Sequence, residues 1–384
     1  MLSNSIRYIG CDDADLELFE SQYFLPDGMC YNSFVIRDEK IAVMDSVDPR
    51  KTTEWLKQLA DALEGRQPDY LVVQHMEPDH SGSIAAFHQT YPNAVIVASA
   101  KAIQFLAQFN PGVSMGQTLT VKEGDTLSLG QHTLQFFTAP MVHWPEVIVT
   151  YCPEEKVLFS ADAFGKFGVK DAEPDDWACE ARRYFFNICG KYTTQVAALL
   201  KKVANLPIDT ICPLHGPLLE GEGLKEALHL YNIWSNNEVE TEGVLVAHAS
   251  IHGHTAKVAE KLVELLEAQG VAKVAIADLC RDDMAEVIED AFRMRRLIVC
   301  GATYDGDVFP PMHQFLWKLQ LKGYQNATIG IVENGSWAPM AAKAMRTLIE
   351  PMKNVTIVEP VVSIRSALKP EDLPQLEALA KAML

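Results

Sequence analysis

From Gly243 onward the sequence alternates short apolar runs with amphipathic stretches, and this rhythm limits the fold more than any other feature. Gly243–His248 predicts a strand and Ala256–Gln269 a helix, Val271–Asp278 a strand and Met284–Phe292 a helix. Arg296–Cys300 then predicts a strand, Pro311–Leu321 a helix, Ala327–Val332 a strand and Ala338–Ile349 a helix. Val355–Val358 and Leu373–Met383 close the series as a short strand and a helix. Strands separated by helices pair in parallel with helices on both faces, so an α/β, doubly wound parallel sheet is expected. The polar stretch Ser235–Glu242 before it has the composition of a linker. Two domains are therefore expected, 1–242 and 243–384, and a chain of 384 residues has the length for them.

The first half is β-rich. Ser33–Ile36 and Ile41–Val47 flank the turn residues Arg37–Lys40, a hairpin pattern, and Thr52–Leu63 has helical periodicity. Three apolar runs end abruptly in polar loops: Tyr70–Gln74 before His75, Val157–Phe159 before SADAFG, and Thr210–Ile211 before CPLHG. Side chains at the ends of buried strands are held in place by the sheet, which is where chemistry is commonly sited.

The window Gln74-His75-Met76-Glu77-Pro78-Asp79-His80 follows the first of those strands. In an extended loop alternate side chains point the same way, so His75, Glu77 and Asp79 are expected to converge. Such a cluster is costly to bury unless a cation compensates it. His143 in APMVHWPE, Asp162 in LFSADAFG and His215 in ICPLHGPL lie in later loops. Singly, each has an ordinary structural explanation: a core histidine beside Trp144, a turn aspartate, a turn histidine before Gly216. Together with the window they form a set of four imidazoles and three carboxylates. That is more than one divalent ion needs and suits two ions sharing a carboxylate. The oxygen-rich, anionic set suits a redox-active ion such as iron better than structural zinc. Two ferrous ions, three carboxylates and a bridging hydroxide sum to zero charge, and the diferric pair to a tolerable excess.

In the second half, Ala249-Ser250-Ile251-His252-Gly253-His254-Thr255 joins the first strand to its helix. Small and hydroxyl residues opening a helix offer backbone N–H groups to a phosphate, and Ser250 and Thr255 add hydroxyl donors. The loop contains no Lys or Arg, unlike a Walker loop, and on its own matches an ordinary helix start. Two further loops follow strands three and four: Gly301-Ala302-Thr303-Tyr304-Asp305-Gly306-Asp307 and Glu333-Asn334-Gly335-Ser336-Trp337. Tyr304 and Trp337 offer flat apolar surfaces to a planar ring. Asp305, Asp307 and Glu333 are expected to place negative charge beside such a ring and so, if it is redox-active, to lower its potential.

Composition narrows the setting. The net charge of −18 is spread along the chain and argues against a polyphosphate or nucleic-acid partner. No apolar run approaches the roughly 20 residues that span a bilayer, and MLSNSIRYIGCDDADLELF has no signal-peptide core, so a cytoplasmic protein without membrane contact is expected. The eight cysteines include no CxxC pair, which removes a zinc ribbon, a rubredoxin-type site and a thioredoxin motif. Buried free thiols are the expectation.

The window resembles the His-x-His-x-Asp-His signature of the metallo-β-lactamase superfamily, with glutamate at the second histidine position. That variant, followed in order by His143, Asp162 and His215, resembles the flavodiiron proteins. The likeness runs from Tyr31-Asn32-Ser33 to the final helix. It implies an N-terminal metallo-β-lactamase-like αββα sandwich and a C-terminal flavodoxin-like domain. It further implies one iron on His75, Glu77 and His143, a second on Asp79, His80 and His215, and Asp162 bridging. FMN is implied at Ser250–Thr255, Ala302–Gly306 and Asn334–Trp337. The implied activity is reduction of dioxygen to water or of nitric oxide to nitrous oxide. The donor is then external, a rubredoxin or a reduced deazaflavin, and the assembly a head-to-tail homodimer or a dimer of dimers. The flavin loops depart from the family's Ser-Pro-Thr-Tyr/His-Asn-Asn-Gly and Gly-Ser-x-Gly-Trp patterns. Tyr23 is a further candidate for acid–base help. Two other readings are a zinc-dependent hydrolase carrying a fused flavodoxin domain, and a non-catalytic electron carrier. Glu77 in a histidine's place opposes the first, and the full ligand set opposes the second.

Overall fold

The computed structural model describes residues 2–172 and 177–384. They form two compact units dividing between Ser235 and Asn236, ahead of the boundary expected at 242/243. The polar stretch that follows is pinned to the second unit. Glu240 and Thr241 donate their N–H groups to the Arg293 carbonyl, and the buried Arg295 side chain donates to the Glu238 carbonyl.

In the first unit two six-stranded sheets lie face to face. One runs Ile6–Tyr8, Phe34–Arg37, Ile41–Met44, Tyr70–Val73, Val95–Ser99, Thr118–Val121. The other runs Thr126–Ser128, Thr133–Thr138, Ile148–Cys152, Val157–Phe159, Thr210–Cys212, Leu219–Glu220. Phe34, Ile36, Met44, Val72 and Val97 of the first sheet meet Leu134, Phe136, Ile148 and Phe159 of the second in one core. The Phe34 and Phe159 rings are 5.4 Å apart, edge to face. Helices Thr52–Leu63 and Ala100–Phe109 pack on the first sheet and Gly221–Ser235 on the second. Strands covered on both faces are apolar throughout, which is why Ile41–Met44 and Val157–Phe159 show no alternation. The Phe34–Arg37 and Ile41–Met44 hairpin and the Thr52–Leu63 helix agree with the sequence pattern.

The second unit is a parallel sheet in the order Val274–Asp278, Val244–Ala249, Arg296–Tyr304, Ala327–Asn334, Val355–Ile357. Helices His254–Ala268 and Leu373–Ala382 pack together on one face. Met284–Met294, Pro310–Leu321 and Ala341–Ile349 form the other layer. The order reverses between strands Val244–Ala249 and Arg296–Tyr304, where open α/β sheets place their ligands. Two strands outrun the apolar pattern. Arg296–Tyr304 continues past Cys300, and Ala327–Asn334 past Val332, because Gly301 pairs with Glu333 and Ala302 with Asn334. Part of each expected loop is therefore rigid sheet. Val362–Ile364 also pairs with Ala327–Asn334, a strand the pattern does not reveal. Among the described residues, no helix is long and apolar enough to cross a membrane.

Candidate metal centre and flavin cleft

The strand Tyr70–Val73 carries Gln74 and His75 out of the sheet. The buried Asp45 carboxylate fixes this exit, accepting from the Gln74 N–H at 2.7 Å and from Gln74 Nε2 at 2.9 Å. Glu77 is still extended (φ −59°, ψ 140°), so His75 and Glu77 point the same way. The alternation stops there. Pro78–Ser81 is a helical turn, and it swings Asp79 and His80 into a different group. The expected convergence of His75, Glu77 and Asp79 is thus corrected: proline favours the first turn of a helix and ends the extended run.

The seven side chains form two buried groups, His75–Glu77–His143–Asp162 and Asp79–His80–His215. Asp162 faces both. Its Oδ2 is 3.2 Å from His75 Nε2 and 3.1 Å from His143 Nε2, and its Oδ1 is 3.3 Å from His80 Nε2 and 3.7 Å from His215 Nε2. Glu77 Oε2 is 3.0 Å from His143 Nε2 and 3.3 Å from His75 Nε2. Asp79 Oδ2 is 3.3 Å from His215 Nε2 and 3.4 Å from His80 Nε2. All four imidazoles turn Nε2 inward, His80 included.

Neighbours set this orientation. His75 Nδ1 lies 2.8 Å from Glu146 Oε1, which also accepts from the Met76 N–H at 2.9 Å. His215 Nδ1 donates to the Cys30 carbonyl at 2.7 Å. Asn32 holds the loop that carries His215. Its Nδ2 donates to the Pro213 and Gly216 carbonyls, both at 2.8 Å, and its N–H to the Leu214 carbonyl. A hydrogen bond at Nδ1 fixes the tautomer that presents an Nε2 lone pair. Sequence reasoning missed Glu146, Asp45, Asn32 and Cys30. Glu146 alone carried a signal, as an acid next to the apolar run Val147–Val149.

The electrostatics fit a cation. Both carboxylate oxygens of Asp79 and of Asp162 are buried with no hydrogen-bond donor. Burial alone would raise the Asp162 pKa, but the imidazoles of His75, His143 and His80 hold it well below the usual carboxylate range. Burial alone would lower the His143 pKa, and Asp162 and Glu77 instead push it up to about 9. The carboxylates therefore draw positive charge into the site. Aromatic rings exclude water around it: Trp144 is 5.3 Å from His75, and Phe19 and Tyr184 are each 5.6 Å from His215. The Tyr23 hydroxyl is committed elsewhere, donating to the buried Asn187 carbonyl at 3.1 Å.

In the second unit a cleft of about 740 Å³ opens at the carboxyl ends of the strands. Ser250, Ile251, His252, His254 and Thr255 line it, with Ala302, Thr303, Tyr304, Asp305 and Gly306 opposite and Asn334, Gly335, Ser336 and Trp337 beside them. Gly253 does not line it. Its φ of 85° makes the turn that starts helix His254–Ala268, whose amino end has no side-chain cap. Ala338, Met340 and Ser366 complete the lining and were not anticipated. Ser366 arrives from a distant loop that Asn334 grips at both its N–H and its carbonyl. Trp337 is 81% exposed, at the mouth. The expected acidic surround is corrected. Glu333 Oε2 accepts from the Ala342 N–H at a helix start, and Asp307 lines a neighbouring groove, leaving Asp305 as the acid on the cleft.

Comparison with known proteins agrees with this geometry. The family described as ODP family beta lactamase matches residues 29–216. A nitric oxide reductase of Moorella thermoacetica is 28% identical over 99% of this chain and 96% of its own. Diflavin flavoprotein A 1 of Synechocystis is 33% identical over 75% of this chain, which spans about half (51%) of that relative's length. The rubredoxin oxygen:oxidoreductase of Desulfovibrio gigas superposes with a TM-score of 0.93 at 23% identity, covering 100% of this chain and 97% of the other. The flavodiiron protein of Giardia intestinalis gives a TM-score of 0.90 at 24% identity, covering 99% and 95%. In sequence this chain is similar to nitric oxide reductases and diflavin flavoproteins, and in fold to the rubredoxin oxygen:oxidoreductase and flavodiiron structures.

Proposed function

We propose that the protein is an oxidoreductase that reduces dioxygen to water or nitric oxide to nitrous oxide, using a two-iron site in its first unit and FMN in its second. One observation carries the reading most: Asp162 turns one oxygen to each of two histidine–carboxylate groups, the arrangement of a bridging ligand. His75, Glu77 and His143 would hold one iron, and Asp79, His80 and His215 the other. The buried acceptor oxygens without donors support cations there. Glu77 in a position that would complete a nitrogen-rich zinc site favours iron over the hydrolytic reading.

When bound, the iron pair supplies Lewis acidity and two electrons, and the flavin two more. Dioxygen needs four electrons and four protons to become two waters, and two nitric oxides need two of each to become nitrous oxide and water. The chain's own part is positional. Glu146 and the Cys30 carbonyl keep the Nδ1 protons of His75 and His215 and so free both Nε2 lone pairs. Glu77, Asp79 and Asp162 offset the metal charge, and the ring wall of Trp144, Phe19 and Tyr184 keeps bulk water out. The uncapped amino end of His254–Ala268 supports a phosphate, and Tyr304 and Trp337 support a flat ring.

The domain assignment follows, with a diiron domain in the first unit, up to about Ser235, and an FMN domain in the second, from about Asn236. The cellular setting we assign is the cytoplasm. The electron donor is a separate molecule, a rubredoxin or a reduced deazaflavin, and the working assembly is a head-to-tail homodimer or a dimer of two such dimers. Anaerobic stopped-flow of the reduced protein against dioxygen and nitric oxide in parallel tests the function. Rapid reoxidation by at least one gas, lost in Asp162→Asn, is expected. Esterase turnover with no gas-dependent reoxidation would replace this reading by the hydrolytic one.

A further inference from the structure

We propose that His252 and His254 are the cationic partners of the flavin phosphate, so that FMN is held tightly at mildly acidic pH and released as pH rises. The inference rests on the reading of the cleft as an FMN site. Both imidazoles line that cleft at the start of helix His254–Ala268, and both are exposed. Among the described residues that line the cleft there is no lysine or arginine.

Three observations carry the assignment. First, the helix start suits an anion better than it suits the helix itself. It has no side-chain cap and no acidic residue in its first turn. Either would stabilise a helix's positive end. A protonated imidazole at that end is unfavourable unless an anion sits against it. Second, the loop keeps donors free. Ser250 Oγ accepts from the Gly253 N–H at 3.0 Å, which leaves its own hydrogen and the first-turn amides for a ligand. A Cβ on Gly253 would meet nothing within 4 Å, so the loop is open there and glycine serves its φ of 85°. Third, the other charges nearby are committed or turned elsewhere. Asp278 pairs with Arg281 at 2.6 Å, and Asp282 accepts from the Asp278 N–H at 2.7 Å. Cys280 bonds the Ser250 backbone, and burial pushes its thiol up. His248 is buried on the preceding strand, and burial lowers its pKa. Lys257 and Glu260 are exposed on the helix and do not line the cleft. Asp305, the acid on the cleft, favours protonated imidazoles.

The sign of the pH dependence follows. An imidazole beside a bound phosphate keeps its proton to higher pH than a free one. The affinity it adds is therefore fully present below about pH 6.5 and is lost as pH rises. The phosphate is a dianion above about pH 6, so it does not cause that loss.

The test uses the full chain loaded with FMN or with riboflavin, which shares the ring and lacks the phosphate. Stepwise dilution at fixed ionic strength gives Kd from the fluorescence of released flavin. From about pH 6 to about pH 8.5, FMN should bind roughly five- to tenfold more weakly, the screened contribution of two exposed imidazoles, while riboflavin changes by less than about twofold. His252→Gln and His254→Gln should each cut the FMN change to roughly two- to threefold. The double variant should abolish it and bind FMN at the lower pH as weakly as wild type does at the higher. Circular dichroism would show that the variants are folded. Equal FMN affinity at both pH values, a parallel fall for riboflavin, or a double variant with the wild-type response overturns the proposal. A chain that takes up neither flavin defeats the cleft reading instead, and titration with inorganic phosphate at the two pH values then decides the loop. Phosphate binding that weakens with pH in wild type and not in the double variant supports the imidazoles' role, and any other result overturns it.

Discussion

Replacing Glu146 offers a direct view of how the chain prepares its metal ligands. The residue is fully buried and its Oε1 serves both the His75 imidazole and the Met76 N–H. Glu146→Gln keeps an oxygen acceptor in place and removes the charge that strengthens His75 as a donor. Partners of this kind are worth roughly ten- to a hundredfold in metal affinity, or about 1.4–2.8 kcal/mol. Glu146→Ala also strips the acceptor, leaving two buried donors unpaired at about 1–3 kcal/mol each. The glutamine variant should therefore fold normally and bind iron weakly, and the alanine variant should lose stability as well. Anaerobic ferrous titration against a competing chelator measures the first effect, and urea unfolding of the metal-free chain the second. Iron affinity within twofold of wild type in Glu146→Gln would refute the claim that this carboxylate prepares His75.

Three other perturbations probe separate parts of the account. Asn32→Ala frees the Pro213–Gly216 loop from two side-chain hydrogen bonds, at about 1–3 kcal/mol, and should reduce bound iron toward one per chain by elemental analysis. His132 lies between Asp38 (2.8 Å) and Glu155 (2.9 Å); burial alone would lower its pKa, but Glu155 and Asp38 raise it above the usual histidine value. Its contribution is thus fully present below about pH 6.5 and lost as pH rises through the higher folded value. Urea unfolding at pH 5.5 and pH 9 should show His132→Ala destabilised mainly at the lower pH. Trp337→Ala should weaken FMN binding by about 0.5–1.5 kcal/mol, seen by fluorescence titration, while thermal stability stays within about 0.5 kcal/mol because the side chain is exposed.

The sequence revealed the parts of the site that end strands. Tyr70–Val73, Val157–Phe159 and Thr210–Cys212 are apolar runs that stop at polar loops, so His75, Asp162 and His215 stood out. The grouping of Asp79 with His215 came from the family resemblance and was hidden from the residue pattern, because it depends on a helical turn at Pro78 that breaks the alternation. The supporting groups were hidden for another reason. Cys30 acts through its carbonyl and Asn32 through loop carbonyls far along the chain, and periodicity records a buried face without its partner. In the second unit, alternation gave the sheet, while the strand ends past Cys300 and Val332 came from parallel pairing of residues with little strand preference of their own. Glu333 illustrates the limit: an acid in a ligand loop by sequence, it is a helix cap in space.

Two irons sharing Asp162 are the core of the proposed site. Anomalous diffraction on crystals of the protein as purified, collected at the iron and zinc absorption edges, tests it most directly. Two iron peaks are expected, one within His75–Glu77–His143 and one within Asp79–His80–His215, with Asp162 contacting both. Zinc at both positions, or a single ion with Asp162 facing only one group, would contradict it.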